Sequence, residues 1–377
     1  MTTLRPQSVL IVGGGFSGMS AAIELRKIGL QVDLIEIDAG WRSYGAGITI
    51  GGPTLRALGT IGVLDEVRTQ GFCADGLDLY TPDGTRLGEL PTPRVAGPDV
   101  PGGGGIMRPA LARILATATR AAGVDVRLGC TFTSIVDQGD QVEVKTTDGE
   151  TRRYDLVIGA DGLYSKMRAL VFPDAPSPRY TSQGVWRAVL PRPADLVRPA
   201  MWLGHRVKTG LNPVSNEQMY LFVTEDRPTH EYLDAERLPS MLSGLLAPFP
   251  AETMQWVRSQ LDAQSQIVYR PLESLLLPRP WYRGRIVLIG DTVHATTPHL
   301  AAGAGIGIED AIVLAREMAS AASVESALDR FENQRWDRCR MVVENSGRLG
   351  EIEIHNGDRN EHAQIMRDSM RALAQPL

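Results

Sequence analysis

Three short stretches of this chain carry residue types suited to holding a dinucleotide. The first is Gly13-Gly14-Gly15-Phe16-Ser17-Gly18. It follows an apolar run, Val9-Leu10-Ile11-Val12, and precedes a helical stripe of Met19, Ala22, Ile23, Leu25 and Ile28. In such a G-x-G-x-x-G turn Gly13 permits the tight bend, Gly15 lets backbone approach a pyrophosphate, and Gly18 lets helix and strand pack closely. The phosphates belong at the positive N-terminus of the helix that Phe16 and Ser17 open. Glu36 ends the next apolar run and is placed to hold the ribose hydroxyls of an adenosine. The pattern alone does not separate FAD from NAD.

The second stretch runs from Gly159-Ala160-Asp161-Gly162 through Ser165 to Arg168, after the apolar Leu156-Val157-Ile158. A carboxylate and backbone amides here suit the surroundings of a pyrophosphate, and Arg168 adds positive charge. An ordinary strand-turn-helix with Asp at its turn reads the same way. The third stretch is Gly290-Asp291-Thr292-Val293-His294, followed by Thr297 to Ala311. Asp291, at the end of an apolar strand, suits hydrogen bonds from a polyol. The small residues 301–305 let backbone come close to a flat ring, and a helix starting there points its positive end at that ring. The competing reading is a helix entry built only for packing.

These stretches need a scaffold, and the composition supplies one. The 377 residues are 43% hydrophobic and 22% charged, which excludes a largely disordered chain. The length suits two domains, or one large domain with an insertion. A net charge of -5 leaves no electrostatic footprint for nucleic acid or an anionic membrane. No apolar run approaches the ~20 residues that span a bilayer, and Met1 to Ser8 is too polar for a secretory leader. Cys73, Cys130 and Cys339 form neither a disulfide framework nor a metal knuckle, so we expect reduced thiols in a cytoplasmic protein with no metal.

Hydrophobic periodicity predicts buried strands at 9–12, 31–36, 124–128, 156–159 and 285–289. It predicts helices over 52–70, 107–122 and 305–319, and a hairpin of 141–146 with 151–154 across Asp148-Gly149. Between about 174 and 270 prolines become frequent and extended segments appear, notably 184–190 and 218–223. This reads as a mixed sheet inserted into the first unit. Pro101-Gly102-Gly103-Gly104-Gly105 reads as a flexible turn, and 325–375 as mostly helical.

The order G-x-G-x-x-G, then G-A-D-G-x-x-S-x-x-R, then G-D-x-x-H-x-x-x-P resembles the class A FAD-dependent aromatic monooxygenases of the p-hydroxybenzoate hydroxylase fold. The resemblance spans roughly residues 8 to 320. Pro298-His299-Leu300-Ala301-x-Gly303-Ala304 with Ile308-Glu309-Asp310-Ala311 is similar to the salicylate and 6-hydroxynicotinate hydroxylase branch. It implies an α/β fold: a Rossmann-like FAD-binding domain (1–75, 101–173 and 271–320), an inserted mixed-sheet substrate domain (76–100 and 174–270) and a helical C-terminal tail (321–377). It implies that Gly13, Gly15, Gly18 and Glu36 bind the ADP half of FAD. Arg108, opening a helix, and Arg42 would contact the phosphate-ribityl region. Asp161 and Arg168 would serve FAD and a transient NADH or NADPH. Asp291 would hold the ribityl or pyrophosphate region, and Gly303 and Ala304 would lie against the isoalloxazine. Phe132 is a further cofactor-contact candidate. Ile37 stands where many relatives have Arg or Lys, which removes one usual contact to the adenosine.

The implied reaction joins NAD(P)H and O2 to hydroxylate a small aromatic or N-heteroaromatic ring through a flavin C4a-hydroperoxide. No second fingerprint for NAD(P)H exists, which suits a nicotinamide that visits the flavin only briefly. A dehydrogenase that does not activate O2 and a non-catalytic flavin-binding protein are the alternatives. The catalytic candidates are Arg187, His205, Tyr220, Pro298 and His299. Arg187 suits a carboxylate or ring oxygen, or is structural. His205 and Tyr220 are candidates for phenol activation, although a lone His is usually structural and Tyr220 alternates as if facing solvent. His299 sits by the expected flavin edge, while His294 orients its loop. Trp186, Trp202 and Trp281 either line an aromatic pocket or fill a core. We expect a monomer or homodimer.

Overall fold

The structure, a computed structural model, describes residues 6–43, 45–262 and 264–377. Part of the polar stretch Met1 to Ser8, residues 1–5, therefore lies outside the described residues. A six-stranded sheet runs in the order Tyr282–Arg283, Ile286–Leu288, Leu156–Gly159, Ser8–Val12, Gln31–Glu36, Asp125–Leu128. All pairs are parallel except the first. Both faces of this sheet are covered, which is why its strands read as unbroken apolar runs. Val9, Leu10 and Ile11 are completely buried. The apolar side of a hairpin-containing sheet, Val142, Val144 and Tyr154, joins the same core.

A seven-stranded sheet runs Ile267–Ser274, Arg179–Pro191, Gln218–Asp226, Val207–Pro213, Ala200–Leu203, Leu77–Tyr80, Arg86–Leu90. Side chains alternate across its strands with period two. Trp186, Met219, Leu221 and Val223 pack into a core with Leu242 and Leu246 of the helix Leu238–Leu246 and Met254 and Val257 of the helix Glu252–Ser259. The intervening Val185, Arg187, Tyr220, Phe222 and Thr224 face the opposite way, into a cavity.

A third sheet pairs Gly103–Met107 with Gly47–Gly51 on one edge and Phe72–Ala74 on the other. The run expected to be a flexible turn is therefore largely a buried central strand. Its glycines answer to close approach of backbone. A Cβ on Gly104 would lie 2.6 Å from the Phe72 carbonyl oxygen, and one on Gly105 would lie 2.5 Å from that of Pro213. The helix expected over 52–70 is divided into Gly52–Ile61 and Leu64–Gln70, with Gly62 at φ +89° closing the first.

The helix Gly303–Ser320 packs against Phe16–Lys27 and against a 32-residue helix, Val324–His355. The helix Arg359–Ala374 then folds back on it. Among the described residues no helix is long and apolar enough to cross a membrane.

Candidate active site

The three motifs converge, and their glycines show how. The Ser8–Val12 strand ends at Gly13, whose φ of +109° favours glycine. A Cβ there would stand 2.3 Å from the Ala160 carbonyl oxygen, so the first turn lies directly against the second. A Cβ on Gly290 would meet Ser17 Oγ at 2.3 Å, and one on Gly307 would meet the same atom at 2.2 Å. Ser17 is thus wedged between the first motif and the third. Gly18 allows the helix to touch the turn, a Cβ there standing 2.0 Å from the Gly13 oxygen. Gly15 differs: nothing lies within 4 Å of its Cβ position, which opens on the cavity.

That cavity, of about 590 Å³, runs from these turns to the inward face of the seven-stranded sheet. Phe16, Ser17, Glu36, Arg42, Arg108, Asp291, Gly303 and Ala304 border it. Glu36 is spent partly on the turn itself. Its Oε2 accepts from the Gly14 amide at 2.6 Å and its Oε1 from that of Asp38 at 2.8 Å. Trp41, which the sequence did not single out, donates its indole N–H to the Gly14 carbonyl at 2.8 Å.

Asp161 and Arg168 do not border the cavity. Asp161 accepts from the Ser165 hydroxyl and from the amides of Lys166 and Met167, opening the helix Lys166–Val171. Arg168 donates to the carbonyls of Thr292 at 2.8 Å and Leu163 at 2.7 Å. Their role here is to clamp the second motif to the third, and from this stretch Ala160 and Gly162 reach the cavity instead. Phe132 opens a strand of the small three-stranded sheet, packs on the main core and is absent from the cavity wall. Its aromatic character reflects packing.

FAD fits this wall. Two helices begin at it, Phe16–Lys27 and Gly303–Ser320, and neither has a side-chain cap on its first amides. Free N–H groups and the positive helix end are what a phosphate or a negatively charged ring edge requires. Arg108 lies over the Phe16 ring at 5.2 Å, and burial depresses its pKa while Asp291 opposes that. Asp291 opens onto the cavity with dense protein behind it. Burial pushes its carboxyl above the usual range, with His294 and Arg108 pulling the other way. Such a half-desolvated carboxylate is suited to accept from hydroxyl groups.

On the sheet side stand Arg187 and Tyr220. Arg187 is deep in the protein, and burial lowers its pKa, Tyr220 opposing and Arg108 and Arg270 adding to the effect. No acidic partner pairs with it among the described residues. Tyr220 is 5% exposed and lines the cavity rather than facing solvent. Its hydroxyl bonds Thr49 Oγ1, which also accepts from Asn212 Nδ2 at 2.7 Å. Pro298 also lines the cavity.

His299 touches the cavity wall with only 1% of its side chain exposed. Its Nδ1 meets Thr297 Oγ1 at 2.9 Å, and its Nε2 lies 3.3 Å from Glu353. Burial pushes this imidazole below its ordinary pKa. Glu353 also binds Lys208 at 2.5 Å and His362 at 3.2 Å, so His299 is tied to the C-terminal helices. His205 is exposed and bonds Asn356 Nδ2 at 2.9 Å, away from the cavity. The three tryptophans serve cores: Trp186 and Trp202 under the seven-stranded sheet, Trp281 against His294 and Trp336. Thr49, Asn212, Lys208 and Glu353 carry no motif.

The FAD binding domain family profile matches residues 7–346, and the chain belongs to this family of FAD-dependent monooxygenases. It is 33% identical over 356 residues to the 2-heptyl-3-hydroxy-4(1H)-quinolone synthase of Pseudomonas aeruginosa, covering 92% of this chain and 90% of that one. It is 30% identical over 341 residues to the putative FAD-dependent monooxygenase YetM of Bacillus subtilis, covering 89% and 90%. The crystal structure of Klebsiella pneumoniae HpxO with FAD and uric acid shares the fold, with a TM-score of 0.81, 24% identity, and 98% and 93% of the two chains covered. The cofactor is FAD.

Proposed function

We propose that this monooxygenase hydroxylates a small aromatic or N-heteroaromatic ring bearing an anionic or carbonyl oxygen, and that Arg187 receives that oxygen. The observation that carries this reading is a guanidinium at the cavity with no acid to pair it. A buried cation of that kind is costly until a ligand supplies the counter-charge. Relatives whose names specify a quinolone point to the same ring class.

Bound FAD supplies the redox chemistry, joining NADH or NADPH and O2 to ring oxygenation. The protein's own residues do the rest. Gly15, Phe16, Ser17 and Glu36 would hold the ADP half, Arg108 and Asp291 the middle, with Arg42 at the rim. The uncapped amides of Gly303 and Ala304 would favour negative charge on the ring system. Tyr220, its hydroxyl held by Thr49 Oγ1, which in turn accepts from Asn212 Nδ2, is placed to hydrogen-bond a ring hydroxyl and orient it. Pro298 and Phe222 help keep water from the reacting face. His299, held by Thr297 and Glu353, fixes the loop beside the cofactor. The three free cysteines support a cytoplasmic protein, and we take it to act as a monomer or homodimer.

The test is a screen of phenols, salicylates, pyridines, quinolones and purines for NAD(P)H oxidation with matching oxygen uptake. One class giving oxygenated product supports the reading. FAD reduction without oxygenated product from any class overturns it.

A further inference from the structure

The lining of the cavity changes in chemistry from the cofactor side to the edge of the seven-stranded sheet. On the cofactor side the wall carries polar side chains, Arg187, Arg108, Tyr220, Thr49, Asn212 and Asp291, set among Val185, Phe222 and Pro298. Past Thr49 the same cavity continues between the Gly103–Met107 strand and the outer strands of the seven-stranded sheet. There the wall is Leu77, Leu90, Pro91, Pro93, Pro199 and Met201. Thr92 and, on the strand beside Met201, Lys208 are the polar side chains bordering this arm; Thr92 Oγ1 is occupied by the Gly76 amide at 2.8 Å and Lys208 is paired with Glu353 at 2.5 Å. The neighbouring charges are paired with one another, Arg94 with Asp75 at 2.6 Å and Arg198 with Glu89 at 2.6 Å. Pro91 and Pro93 are exposed, so the arm reaches the surface.

An open arm with apolar walls, no free charge and no unsatisfied polar side chain has nothing to offer water or a polar group. It does offer area to hydrocarbon, and it is continuous with the place where the ring must lie. The cavity as a whole is therefore amphipathic, polar at the cofactor and apolar toward the sheet edge. We propose that the ring oxygenated by this enzyme carries an alkyl chain and that the arm lined by Leu77, Leu90 and Met201 holds that chain. The inference rests on the ring-hydroxylating reading for the placement of the ring. The arm itself is a binding site whatever chemistry follows.

The test uses the FAD-loaded protein and two homologous series, 2-alkyl-4(1H)-quinolones and 4-alkylphenols with chains of one, three, five and seven carbons. Dissociation constants are read anaerobically from the perturbed flavin absorbance, and turnover separately from oxygen uptake. Burial of each added methylene is expected to tighten binding about three- to fourfold in at least one series. Leu77→Trp, which fills the arm, is expected to raise the Kd of the seven-carbon member toward that of the one-carbon member. Met201→Trp serves as a second block, and FAD content and melting temperature show whether either variant retains its fold. If neither does, the chain-length series decides alone. Affinity that is flat or falling with chain length in both series overturns the inference, as does a slope untouched by a folded blocking variant. Silence of both series at the flavin also overturns it. Hydroxylation of one-carbon rings with a flat series sinks the arm and leaves the ring assignment standing. A steep series without oxygen uptake supports the arm and sinks the reaction assignment for those rings.

Discussion

His294 Nε2 lies 2.6 Å from Asp310 Oδ2, and both side chains are fully buried. The pair joins the third motif to the helix that faces the cofactor. Asp310 also accepts from the Gly290 amide at 2.9 Å and from Arg335 Nε at 2.8 Å. One carboxylate thus orders the Gly290 turn, the His294 loop and the long C-terminal helix together. Burial works against its charge, but His294 and Arg335 hold its pKa down to about 2.

Removing that carboxylate leaves buried His294 without its acidic partner and Arg335 with Glu309 alone. Asp310→Ala is expected to cost about 3–5 kcal/mol of stability, read by denaturant unfolding of the FAD-loaded protein. A loss near zero would mean that the cluster does not brace the fold.

The same pair predicts a pH dependence with a definite sign. Burial disfavours the charged His294, yet Asp310 outweighs it and keeps its pKa well above the ordinary value. A raised folded-state pKa stabilises fully below the unfolded value of about 6.5 and is lost as pH climbs through the folded one. The stability difference between the native chain and His294→Gln should be greatest near pH 6 and shrink on the alkaline side. Asp310, depressed in the folded state, gives a second loss as pH falls from about 4 toward 2.

Two glycines of one motif should behave differently. Gly18→Ala places a methyl 2.0 Å from a backbone oxygen and is expected to disrupt the turn, lowering both stability and FAD content. Gly15→Ala meets no protein atom within 4 Å and should leave the melting temperature of the FAD-free protein unchanged while weakening FAD. Equal effects from the two would contradict the assignment of Gly15 to the cofactor.

Asp291→Ala should reduce FAD affinity roughly tenfold or more, the loss of charge-assisted hydrogen bonds. Full FAD retention after dialysis would remove Asp291 from the cofactor site.

Arg187→Gln should retain FAD and raise the Kd for an anionic ring by about 10- to 100-fold. An unchanged Kd would take Arg187 out of ring recognition.

Much of the cofactor side was legible in the sequence, because close backbone approach demands glycine and covered parallel strands demand apolar runs. Gly13 and Gly18 show the first demand directly, and Val9 to Val12 the second. The same logic misled at 102–105, where a glycine run reads as a loop although the crowding partners, Phe72 and Pro213, are distant in sequence. Tyr220 shows another limit. Alternation along its strand was visible, but which face the helices 238–246 and 252–259 would cover was not. Asp161 and Arg168 carry charges suited to a pyrophosphate, yet Thr292, 124 residues beyond Arg168, claims the arginine. Glu353, Lys208 and Arg335 belong to no motif and acquire meaning only when the C-terminal helices fold back.

The most direct test of the account is turnover under ¹⁸O2 with an active ring compound and NAD(P)H. One labelled oxygen atom in the product and one NAD(P)H consumed for each product formed are expected. Product oxygen drawn from water, or NAD(P)H consumed with no oxygenated ring, would contradict it.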